Sequence, residues 1–125
     1  MTKISSGLKT LFLVHFVFGL IFGLAYLLIP GLTMGWLGVS LKDESAYRIV
    51  GAAILAFSTS SWFCYKAAEW ERVKIVVLAE IAWTVLVALV CLYGLIFAGA
   101  PAAFWINVII MAGFAVAFVY YYSRH

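Results

Sequence analysis

Two ionisable side chains stand inside apolar runs of this sequence, His15 within KTLFLVHFVFGL and Glu80 within KIVVLAEIAWTVL. An imidazole and a carboxyl in hydrocarbon are expensive, so they face other protein or water and mark a site by default. Side by side they form a neutral pair, or an ion pair after one proton crosses between them. Exchange between those two states is what a proton relay uses. Near the end of another apolar run, FSTSSWF supplies Ser58 and Ser61 as hydroxyl partners.

Depth turns these residues into a layer. His15 lies six residues past Lys9 and Glu80 six past Lys74, each about 9 Å along a helix from its basic anchor. Ser61 and Ser58 precede Lys66 by five and eight residues, about 8–12 Å. Three helices entering from one side therefore bring His15, Glu80, Ser58 and Ser61 to a common level as the candidate ligand- or proton-binding site. A second polar layer lies toward the opposite face, made of Arg48, Asn107, Tyr26 and Tyr93. Arg48 reads as an interfacial anchor that can pair with Asp43 or Glu44, and Asn107 as an interhelical hydrogen-bond donor.

Other chemistries lack their residues. The sequence has no nucleophile motif, C-x-x-C or glycine-rich phosphate loop. A zinc site would need more ligands than His15 and Glu80, so neither metal nor cofactor is expected and no enzymatic activity is assigned. Cys64 and Cys91 fall in different segments at different depths, which argues against a disulfide between them.

The elements that must position these groups are hydrophobic. Of the 125 residues 67% are hydrophobic and only 10% charged, with a mean hydropathy of +1.14. That leaves too few polar residues to coat a soluble domain. Apolar segments at about 9–29, 46–65, 74–98 and 101–122 have lengths suited to a bilayer, so the chain reads as one all-α domain, a four-transmembrane-helix bundle. The first run is too long for a signal-peptide core and lacks a small-x-small cleavage site before Pro30, which points to an uncleaved helix. Residues 31–44 are too short to span and carry Trp36, so they form an interfacial turn.

Small residues at helical spacing supply close-packing faces. Gly19 and Gly23 form a G-x-x-x-G on the stripe that His15 continues, and Ala52, Ala56 and Ser60 form another. Four spans place both termini on one side, with Lys3, Lys9, Lys66, Arg72, Lys74 and Arg124 there against Lys42 and Arg48 opposite. The positive-inside rule makes that side cytoplasmic, in a cytoplasmic (inner) membrane. Basic residues confined to segment ends argue against nucleic acid as a partner. The expected partners are the bilayer and either a second copy or a larger membrane complex.

The stretch L-L-I-P-G closing the first segment, W-L-G in the turn and Y-R-I-V-G-A opening the second resemble small four-helix membrane proteins of the broad DoxX-like type. What the resemblance implies is a compact four-helix bundle. The expected role is that of a non-catalytic accessory or self-associating subunit. The alternative is a unit that binds or transports a proton, a cation or a lipophilic small molecule, using His15, Glu80 and Ser58 or Ser61 in a cavity open to the cytoplasm.

Overall fold

The computed structural model describes residues 2–125. They fold into five helices: α1 (Ser6–Leu28), α2 (Pro30–Trp36), α3 (Glu44–Lys66), α4 (Trp70–Phe97) and α5 (Phe104–Ser123). Among the described residues there is no strand, only an isolated antiparallel bridge between Lys3 and Glu69. Three helices, α1, α4 and α5, are long and apolar enough to cross a membrane. Their outer faces carry Ile21, Ile75, Ile109 and Val116, each more than half exposed. Apolar surface on that scale belongs against lipid, and it marks the chain as a membrane protein. α3 equals α1 in length but carries the FSTSS run and falls outside that apolar class.

Local chemistry sets the boundaries. The Ser5 hydroxyl accepts from Leu8 N–H to cap α1, and Asp43 accepts from Ser45 N–H to cap α3. Pro30 ends α1 as its sequence predicts, yet it also opens α2 at the first helical position, where a missing N–H costs nothing. The interfacial turn is therefore a two-turn helix followed by Gly38, whose φ of +81° suits glycine. α4 begins at Trp70, one turn earlier than the basic residues suggest. Its 28 residues extend about 42 Å, so its first turn projects beyond a hydrocarbon core of about 30 Å. α5 begins at Phe104, because the residues after Pro101 form a turn before the regular helix.

The helices associate as two antiparallel pairs. α1 and α3 touch backbone to backbone: a Cβ on Gly51 would stand 2.6 Å from Leu27 N, and one on Gly19 would stand 2.7 Å from Ser58 Cβ. α4 and α5 form the second pair. Larger side chains bridge the pairs, including Phe57 stacked on Trp83 at 4.9 Å and Phe18 edge-on to Phe114 at 5.7 Å.

The chain ends meet the α3–α4 connection on one face. Ile4 N–H donates to Ala68 O, and Trp70 N–H donates to Thr2 O. His125 stacks on Trp70 at 4.3 Å, and its Nε2 accepts from Ser5 N–H. Both chain ends therefore lie at the same end of the bundle.

Candidate functional site

His15 on α1, Ser61 on α3 and Glu80 on α4 meet in the interior, each no more than 5% exposed. His15 Nδ1 lies 2.8 Å from Ser61 Oγ, and Ser61 Oγ–H donates to Glu80 Oε1 at 3.4 Å. With that hydroxyl hydrogen committed to Glu80, Ser61 Oγ accepts from Nδ1–H. The triangle closes where His15 Nε2 lies 3.2 Å from Glu80 Oε2. That oxygen sits off the in-plane axis of the ring nitrogen, so it is within ion-pair distance yet has no aligned hydrogen bond. A single proton, held by Nε2 or by Oε2, distinguishes the ion pair from the neutral pair.

The surroundings fix the ring. Phe114 and Phe118 of α5 stand edge-on to His15 at 4.8 and 5.6 Å. Thr84 Oγ1 donates to the Glu80 carbonyl one turn back, which leaves the carboxyl to its two side-chain partners. Ser58, expected at the same level, turns elsewhere and donates to Phe16 O at 2.7 Å, tying α3 to α1.

One turn toward the chain ends, each of the four long helices adds an apolar residue: Phe12, Cys64, Val77 and Phe118, all 5% exposed or less. Leu8, Val73 and Trp70 add a second layer. The polar triangle is thus sealed from the face that carries the termini.

The cavity lies on the other side of the triangle, between the two helix pairs, with a volume of about 300 Å³. Of the triangle only His15 reaches its wall. From there it runs past Phe18, Phe22, Phe57 and Trp83 to Tyr26, Cys91 and Asn107. Val50 and Val90 on its rim are 41% and 69% exposed, so the mouth faces sideways, into the surface that lipid would cover.

The second polar layer divides. Tyr26 and Asn107 line the cavity. Tyr93 points outward, 63% exposed, beside Phe97. Arg48 pairs with Glu44 at 3.2 Å and donates to the Leu27 carbonyl at the end of α1. The packing residues divide as well. Gly19 and Gly23 lie in the α1–α3 contact, opposite Ser58 and Leu55. Ala52 and Ala56 are exposed, and Ala56 lies beside Ile75, Val76 and Ala79 of α4 along a shallow groove.

Sequence reasoning missed Gly51, Trp83 and the cavity role of Cys91. Gly51 carried a signal in its type, and Cys91 in its spacing on the face of Glu80 and Thr84; Trp83 carried none, because an aromatic side chain suits a lipid-facing position equally. Both cysteines are free, and no group of three or more potential metal ligands forms among the described residues.

Helices of spanning length around a buried polar triangle and an apolar cavity suit a helical membrane protein. No protein-family model, curated protein or solved structure matches the chain.

Proposed function

We propose that this chain is a non-catalytic membrane protein that binds a lipophilic small molecule between its two helix pairs. The observation that carries the reading is the cavity of about 300 Å³. Its volume sits at the lower end of the range of about 300–1,000 Å³ typical of small-molecule sites. Apolar and aromatic walls with a few polar groups at the ends are the usual make-up of such sites. In this reading α3 is the fourth span. Its hydroxyls are satisfied internally, which lets a less apolar helix stand in the bilayer. The DoxX-like resemblance carries the same expectation of four spans. The excess of lysine and arginine on the face of the termini sets that face in the cytoplasm of an inner membrane.

The sealed apolar layers beside Glu80 weigh against a proton or cation path from the terminal face. The triangle instead locks α1, α3 and α4 in register and closes the inner end of the cavity.

The test uses the neutral fluorophore N-phenyl-1-naphthylamine, added to the protein in nanodiscs. The reading expects saturable fluorescence enhancement that Val87→Trp, which fills the cavity from α4, abolishes. Linear partitioning indistinguishable from empty discs would refute it.

A second reading, an accessory or self-associating subunit, is favoured by one feature. Ala52 and Ala56 form an exposed small-residue face on α3, flanked by exposed Ile49 and Phe63. Such faces admit close approach of another helix.

A further inference from the structure

The two ends of the cavity differ in what they offer a ligand. At the inner end His15 has both ring nitrogens engaged, Nδ1 with Ser61 and Nε2 beside Glu80. Ser61 and Glu80 themselves lie outside the wall. At the outer end Tyr26, Cys91 and Asn107 converge from α1, α4 and α5 and face one another. The Asn107 amide lies within reach of both the Tyr26 phenol and the Cys91 thiol. A primary amide has two donor hydrogens and two acceptor lone pairs, so after meeting the phenol and the thiol it keeps capacity for a ligand head in an otherwise apolar slot.

The wall also lacks charge. No lysine, arginine, aspartate or glutamate contributes to it, and an ionic head there would lose its hydration without a counter-charge. A neutral head loses less, and recovers the cost through hydrogen bonds.

Length narrows the choice further. His15 and Tyr26 are eleven residues apart on α1, about 16 Å at helical rise. A slot of that length holding about 300 Å³ is close to one hydrocarbon chain wide.

Resting on the binding function proposed above, we infer that the ligand is a neutral single-chain amphiphile, such as a long-chain alcohol. Its hydroxyl-type head is held by Tyr26, Cys91 and Asn107, and its chain lies along Phe22, Phe57 and Trp83 toward His15. The ligand enters sideways, past Val50 and Val90.

Cys91 reports on the head site and Cys64, in the sealed layer, serves as the internal reference. The experiment follows N-ethylmaleimide labelling of each cysteine by mass spectrometry, in nanodiscs, with 1-dodecanol, dodecane, dodecanoate or dodecyltrimethylammonium present. The inference expects Cys91 to label and Cys64 to stay unmodified. It expects 1-dodecanol to protect Cys91 at about fivefold lower concentration than dodecane, the worth of about one net hydrogen bond. The two charged probes should protect no better than dodecane. Asn107→Leu and Tyr26→Phe, each near in volume to the residue replaced, should bring 1-dodecanol and dodecane together.

Equal protection by 1-dodecanol and dodecane in the unsubstituted protein would overturn the head site while leaving a lipophile cavity in place. Stronger protection by a charged probe would overturn the neutral head. If Cys91 labels but no probe protects it, or if it never labels, the binding function itself falls.

Discussion

Glu80 Oε2 stands 3.2 Å from His15 Nε2, off the axis along which that nitrogen could share a proton with it in a straight hydrogen bond. The carboxyl is completely buried, and Ser61 holds its other oxygen. A buried acid in that position needs its neighbours more than they need it, because an unsatisfied polar atom in an apolar interior costs about 1–3 kcal/mol.

Glu80→Gln keeps an amide oxygen for Ser61 and replaces the off-axis oxygen with a donor that can meet Nε2. Stability in SDS-titrated mixed micelles should stay within about 0.5 kcal/mol of the starting protein. Glu80→Ala leaves the Ser61 hydroxyl hydrogen and His15 Nε2 without a partner and should lower stability by roughly 1–3 kcal/mol. A Gln variant as damaged as the Ala variant would show that the acid's proton, not its hydrogen bonds, holds the layer together.

Ser61 and Ser58 make different bonds from the same helix, and the same measurement separates them. Interhelical hydrogen bonds in membrane bundles average about 0.6 kcal/mol and reach about 1.7. Ser58→Ala loses one bond to a backbone carbonyl and should cost near that average. Ser61→Ala removes the bridge between His15 and Glu80 and should cost near the upper figure. Equal losses at the two positions would argue against a connected triangle.

Gly51→Ala should be among the most damaging small substitutions in the chain. The added carbon would meet backbone atoms of Leu27, Gly23 and Tyr26 at 2.6–3.0 Å, where no flexible side chain can yield. A loss of about 1–3 kcal/mol is expected, as for overpacking elsewhere. Gly113→Ala meets nothing within 4 Å and should be neutral or slightly stabilising by helix propensity. Circular dichroism melts of the two variants in one detergent decide the matter.

Ala56→Leu tests self-association from an exposed position on α3, where a groove beside Ile75, Val76 and Ala79 has room for the added carbons. If the small-residue face of α3 joins a second copy, the substitution should shift the protein from dimer to monomer in analytical ultracentrifugation. The melting temperature of the isolated chain should be unchanged. An unchanged sedimentation profile assigns that face to lipid.

Much of this arrangement is visible in the order of the residues. Equal distances from Lys9 and Lys74 place His15 and Glu80 at one level, and the backward count from Lys66 brings Ser61 to it. Depth does not fix rotation. Ser58 and Ser61 are three residues apart on one flank of α3, yet one reaches Glu80 and the other a carbonyl of α1.

Small residues are equally ambiguous. Gly51 and Ala52 are neighbours, but the backbone of α1 leaves room only for the glycine, while the alanine looks outward. A cavity has no signature in sequence at all. It exists because the aromatic side chains of Phe18, Phe57, Trp83 and Phe114 hold the helix pairs apart, a consequence of packing that periodicity does not encode.

Native mass spectrometry of the chain released from nanodiscs equilibrated with 1-dodecanol is the most direct test of the account. A single additional mass of one alcohol per chain, lost in Val87→Trp while the folded charge-state distribution is retained, is the expected spectrum. A bare chain under every condition, or an adduct that persists unchanged in Val87→Trp, would contradict a ligand held between the helix pairs.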